Sequence, residues 1–125
     1  MKTIQITPIG YVRRTRADAW KKRPAVLRYY AYLDELRLKL AGFELGNSFT
    51  VEFGMPFPQS YTLKKRTVLA GEPHQVKPDL DNLVKAVCDG LRGDGEDNDS
   101  RIYQISARKV WDEWNGKGFI KISNN

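Results

Sequence analysis

Hydrophobic positions in the first third of the chain follow a strand period and then a helix period. Ile4 and Ile6 alternate with polar neighbours and predict a short strand that Pro8 ends. Residues 25–41 repeat apolar side chains with a helical period, and Gly42 supplies a C-terminal stop. The apolar positions of this segment are Val26, Tyr29, Tyr30, Leu33, Leu36 and Leu40. The pattern predicts a core-facing helix.

The middle of the chain predicts a strand followed by two helices. Phe49, Val51 and Phe53 alternate with polar residues before the proline-rich segment 55–58, which indicates a strand. Residues 61–70 suit a short helix that carries a second basic patch. Within residues 80–91 the apolar side chains recur on one helical stripe and predict an amphipathic helix; they are Leu80, Leu83, Val84, Val87 and Leu91.

The C-terminal region predicts a β-hairpin. Residues 102–111 are rich in β-forming residues, and residues 117–122 alternate around Phe119. Asn115-Gly116 lies between them and is a strong turn signal. Taken together, the elements predict a single α+β domain over residues 1–125, in which a mixed β-sheet packs against helices and ends in this hairpin.

Charge is distributed unevenly along the chain. Residues 79–99 hold seven of the 15 acidic and two of the 21 basic residues, so this segment carries −5 and the remainder +11, against +6 for the whole chain. A basic body attracts polyanions, whereas an acidic pocket repels them unless a divalent cation neutralises it. The combination indicates a metal-dependent enzyme that acts on nucleic acid.

Composition excludes several kinds of site and of targeting segment. The single cysteine, Cys88, excludes an internal disulfide and a thiol-rich zinc site. No stretch approaches the 18 or so apolar residues of a membrane span, and the N-terminus lacks the apolar region of a signal peptide. A cytoplasmic protein is expected.

The connector over residues 10–24 is basic, with Tyr11 and Trp20 interleaved. Its basic residues are Arg13, Arg14, Arg16, Lys21, Lys22 and Arg23. Basic and aromatic side chains together suit contacts with phosphates and bases, and a solvated loop is the open alternative.

The start of the acidic helix combines two carboxylates. Pro78 fixes the start, which makes Asp79 the natural N-cap and Asp81 a first-turn residue. A cap and a first-turn residue can converge on one point, and a carboxylate just before the strand near Ile102 could lean over the same helix end. Three hard oxygen donors with open positions suit Mg²⁺ or Mn²⁺ rather than zinc.

Each of these residues also has a purely structural interpretation. Asp is a favoured cap at the positive end of a helix. Lys85, four residues after Asp81, fits an ordinary surface ion pair. Residues 94–101 fit an acidic surface loop, but the positions expected for Gly and Glu in an EF-hand carry Asp99 and Ile105, which excludes that calcium site.

The stretches 55–66, 72–91 and 98–102 resemble the RusA family of Holliday junction resolvases. The most specific part is KPDLDNLVKAVCDGL (77–91), followed by an Asp-Ser pair before a strand. The resemblance places the catalytic acids on Asp79, Asp81 and Asp99, the essential lysine on Lys85, and the basic segment on Lys64, Lys65 and Arg66.

Two departures from the family pattern fall in the acidic loop. Asn98 stands where many members have a first aspartate of an adjacent pair, and Asp94 to Glu96 stand where members usually carry apolar residues. Because Asn98 removes one carboxylate, binding of two metal ions is less expected. The change at Asp94 to Glu96 is compatible with a weakened nuclease.

The resemblance implies a homodimeric endonuclease that resolves four-way DNA junctions in recombination and repair. Mg²⁺, or alternatively Mn²⁺, is expected on the three aspartates, and Lys85 is expected to act on the phosphate or the attacking water. Phosphate contacts are expected from Lys64, Lys65, Arg66, Lys77 and the basic connector. A noncatalytic nucleic-acid-binding module and a nuclease for other branched DNA are the alternatives.

Overall fold

The computed structural model describes residues 1–13, 23–92 and 100–125 of the chain. In chain order these ranges contain seven elements: β1 (Lys2–Gln5), α1 (Pro24–Lys39), β2 (Ser48–Met55), α2 (Leu63–Leu69), α3 (Leu80–Arg92), β3 (Gln104–Trp111) and β4 (Phe119–Asn124). The predicted elements are all present, with ends shifted by at most two residues. None of the helices within these ranges is long and apolar enough to cross a membrane.

The four strands form one mixed sheet in the order β1-β4-β2-β3. β4 pairs antiparallel with both β1 and β2, while β2 and β3 are parallel. A parallel pair needs a crossover connection, and the chain between β2 and β3 contains α2 and α3. The α+β class and the mixed sheet predicted from the sequence are therefore confirmed.

The predicted C-terminal hairpin is wrong, because β2 lies between β3 and β4. The turn exists, with Gly116 at φ +71°, but residues 112–118 cross the end of β2 instead of joining neighbouring strands. Asp112 N–H donates to the Met55 carbonyl (2.9 Å), and Phe57 N–H donates to the Gly116 carbonyl (3.2 Å). A local turn signal does not specify the lateral neighbour of a strand.

The hydrophobic core lies between one face of the sheet and the helices α1 and α3. Phe49, Val51 and Phe53 of β2 are fully buried in it, which explains why β2 is central. α1 and α3 approach closely at Gly90, where an added Cβ would lie 3.1 Å from a Leu36 methyl carbon. On α1, Tyr32 is buried, whereas Tyr30, predicted on the core face, is 37% exposed.

Candidate active site at the start of α3

The acidic helix begins where the sequence predicts. α3 starts at Leu80, and the Asp79 carbonyl accepts the first helical hydrogen bond from Leu83 N–H (3.1 Å). Asp79 therefore occupies the N-cap position. The preceding Lys77–Pro78 peptide bond is cis.

The carboxylates of Asp79 and Asp81 are both exposed at this helix end. Neither forms a salt bridge with a described residue. Carboxylate oxygens are the donors that Mg²⁺ prefers. The pair thus has the chemistry to bind a divalent cation.

A complete ligand set needs a further donor. Among the described residues, no group of three or more His, Cys, Asp and Glu side chains comes together as a metal site. Asp99, the third expected acid, lies outside the described residues, together with Asp94, Glu96 and Asn98. The two described carboxylates fit a cation that an additional donor completes.

Lys85 lies one turn after Asp81 on the same helix and is exposed. It does not pair with Asp81, as the surface ion-pair interpretation expected. Its Nζ instead lies 4.1 Å from the centroid of the Tyr11 ring. The lysine and both carboxylates therefore face solvent without neutralising one another.

Lys109 is a site neighbour that the sequence analysis missed. From β3 its amine donates to the carbonyls of Val76 and Pro78, the latter at 2.7 Å. Burial lowers the pKa of Lys109, and the charge of Asp79 partly opposes that decrease. Strand alternation offered a signal, because Lys109 points to the same side of β3 as Ala107, which packs against the core, and as the buried Trp111.

A buried aromatic cluster lies beside the segment that leads to α3. Trp111 stacks on Phe57, with ring centroids 5.3 Å apart, and meets His74 edge-on at 4.4 Å. His74 is only 5% exposed, and its Nδ1 has no hydrogen-bond partner among the described residues. Burial, and next the charge of Lys109, lower the pKa of His74, so its neutral form is favoured.

The family model of the RusA endodeoxyribonucleases matches residues 11–123 of the 125-residue chain. The chain belongs to the RusA endodeoxyribonuclease family. No curated protein and no solved structure was found to match the chain. RusA-family nucleases act on branched DNA and generally use divalent metals, which agrees with the exposed carboxylate pair.

The basic residues expected to contact DNA in this RusA-family chain differ in how they are held. Lys64 and Lys65 are exposed on α2, and the Lys65 amine lies 3.9 Å from the Tyr61 ring centroid. Arg66 is half-buried, and its guanidinium donates to the carbonyls of Tyr61 (3.2 Å) and Pro58 (3.1 Å). Arg66 therefore fixes the turn that precedes α2.

Further basic residues lie on the approach to α3 and α1. Lys77 is exposed beside the acidic pair, and Arg13 is exposed at the end of the N-terminal segment. Arg23 donates from its guanidinium to the Arg13 carbonyl (3.0 Å), which brings the two ends of the connector together. The remaining expected contacts, Arg14, Arg16, Lys21 and Lys22, lie outside the described residues.

Proposed function

We propose that this protein is a Mg²⁺-dependent endonuclease that resolves four-way DNA junctions in recombination and repair by paired hydrolysis of phosphodiester bonds. The supporting observation is the start of α3, where two exposed carboxylates and a lysine one turn later form no salt bridge with any residue that the structure describes. A helix that merely needed surface charges would be expected to pair Asp81 with Lys85.

In this proposal Asp79, Asp81 and Asp99 hold the cation, which is Mg²⁺ or alternatively Mn²⁺. Bound there, the cation would supply a more acidic water and neutralise charge on the phosphate. The ammonium of Lys85 stabilises negative charge that develops on the phosphate or orients the attacking water. Lys109 keeps the backbone before Asp79 in place through its two carbonyl contacts.

The DNA is proposed to bind to the basic residues of α2, of the segment before α3 and of the N-terminal connector. Lys64 and Lys65 on α2, Lys77, and the basic connector over residues 10–24 contact phosphates. Arg66 contributes by fixing the preceding turn, as its two carbonyl contacts indicate. Neutralisation of six phosphates gives a slope of about −5 for log affinity against log salt concentration.

The active form is proposed to be a homodimer. A four-way junction offers two equivalent strands, and a two-fold symmetric protein presents two matching sites to them. Each subunit then makes one cut, and the two cuts together separate the junction into two duplexes.

The test compares three labelled substrates of matched sequence: a four-way junction, a flap and a linear duplex. Each is incubated with protein in Mg²⁺ or in EDTA, and cleavage and binding are measured on the same samples. We expect the protein to cleave the four-way junction, and neither the flap nor the linear duplex, and to do so only in Mg²⁺. Preferential cutting of the flap would favour a nuclease for other branched DNA, and junction binding without cleavage would leave a noncatalytic binding module.

A further inference from the structure

We infer that Tyr11 is a positioning residue that holds the Lys85 amine over its ring and away from Asp81, an inference that depends on the proposed catalytic role of Lys85. The Lys85 Nζ lies 4.1 Å from the Tyr11 ring centroid. That distance is well within the range in which an ammonium is attracted to the face of an aromatic ring.

Tyr11 is itself fixed at the start of α3. Its backbone N–H donates to the Asn82 carbonyl (3.0 Å), which ties the N-terminal segment to the first turn of the helix. The neighbouring Gly10 also lies against the start of the helix, since a Cβ there would be in van der Waals contact, at 3.4 Å, with the Cβ atoms of Asn82 and Pro78. The ring has a defined backbone anchor.

The Tyr11 ring also contacts a second aromatic ring. It meets the Tyr29 ring edge-on, with centroids 5.9 Å apart and planes at 88°. Tyr29 is buried in the core, and its hydroxyl donates to Asp89 of α3 (2.9 Å). Tyr11 therefore links α1, α3 and the N-terminal segment, and its orientation is set before any substrate binds.

The position of the Lys85 amine matters because a competing partner is close in sequence. Acid and base four residues apart on a helix face are neighbours and attract each other. An ion pair between Asp81 and Lys85 would neutralise a metal ligand and displace the amine from the phosphate. In the structure this pair is not formed, and the Tyr11 ring is the contact that the amine makes instead.

The decisive variants keep the shape of the ring and change its electrostatics. Tyr11→Phe retains the negative ring face, whereas pentafluorophenylalanine at position 11 removes it with little change in size. Trp114→Leu is the matched control, because it removes a second cation–π contact, that of Lys121 (5.0 Å), on a different element. Lys85→Met removes the amine altogether.

Single-turnover cleavage of a four-way junction in saturating Mg²⁺ is measured beside junction affinity in Ca²⁺. An exposed cation–π contact is worth a factor of roughly two to five, so the fluorinated ring is expected to lower the cleavage rate about fivefold. The junction affinity of the fluorinated variant is expected to stay close to that of the wild type. The cleavage rates of Tyr11→Phe and Trp114→Leu are likewise expected to stay close to the wild-type rate. In the free protein, the NMR signal of the Lys85 ε-methylene should lose its ring-current shift only when the ring face is altered.

The outcomes separate the inference from the function on which it depends. A fluorinated variant that cuts at the wild-type rate, while Lys85→Met is impaired, would overturn the role of Tyr11 and leave the nuclease intact. The same conclusion follows if the fluorinated ring slows cleavage equally in the Lys85→Met background. A wild type without metal-dependent cleavage would overturn the proposed function and with it the inference. An unimpaired Lys85→Met would overturn the catalytic role of Lys85, and with it the inference, while the nuclease activity itself would stand.

Discussion

Replacement of Lys109 with methionine removes the cation that fixes the backbone leading into α3. The methionine keeps a long apolar stem, so the van der Waals contacts of that stem are largely retained. What is lost is the pair of contacts from the amine to the Val76 and Pro78 carbonyls. The perturbation is therefore confined to the segment that carries Asp79.

The magnitude follows from the exposure of the two carbonyls. The contact with Val76 is solvent-exposed, so water replaces the amine there at little cost, whereas the contact with Pro78 is partly buried. A hydrogen bond that involves a charged group contributes about 1.5–3 kcal/mol. We expect Lys109→Met to lower the free energy of unfolding by about 2 kcal/mol, mostly through the Pro78 contact.

Urea denaturation measures this change, with Arg108→Met as the control. Arg108 is the preceding residue of β3, and its largely exposed guanidinium pairs with Glu52 on the opposite face of the sheet. Loss of an exposed ion pair is expected to cost about 0.5 kcal/mol or less. Equal unfolding midpoints for Lys109→Met and wild type would refute the role of Lys109, as would an equal loss in both variants.

Three further predictions follow from the structure and from the proposal. Gly54→Ala should destabilise the fold by about 3 kcal/mol in urea denaturation, because the new Cβ would lie 2.0 Å from Phe119 ring atoms; a wild-type midpoint would contradict this. Because folding lowers the pKa of His74, this side chain becomes protonated in the unfolded state at a higher pH than in the folded state. Stability should therefore be complete above about pH 7 and decrease as pH falls through about 6.5, and this decrease should shrink in His74→Phe. Finally, Lys64→Ala combined with Lys65→Ala should reduce the salt slope of junction binding by about 2; an unchanged slope would exclude α2 from the DNA interface.

The secondary structure could be predicted because it depends on local periodicity. The alternation around Val51 and the apolar stripe of α3 identify their elements directly, and Pro78 fixes where α3 starts. The order of strands could not be predicted this way. Insertion of β2 between β3 and β4 depends on long-range pairing along both edges of β2, which no turn signal at Asn115-Gly116 encodes.

The residues of the candidate site likewise differ in whether the sequence alone could group them. Asp79, Asp81 and Lys85 fall within seven consecutive residues, about two helical turns, so their closeness along the chain was enough to group them. Tyr11 and Lys109 reach this helix end from the N-terminal segment and from β3, so their contacts depend on the tertiary arrangement. The burial of His74 likewise follows from Trp111, which is far away in sequence.

The most direct test of the central claim uses a supercoiled plasmid that extrudes a cruciform. Wild type and Asp81→Asn are incubated with it in Mg²⁺ or in EDTA, and nicked circles are separated from linear products. The account predicts that the wild type gives linear plasmid, from paired cuts in one binding event, only with Mg²⁺, and that Asp81→Asn gives neither product. Linear plasmid from Asp81→Asn at the wild-type rate, or intact plasmid from the wild type in Mg²⁺, would contradict it.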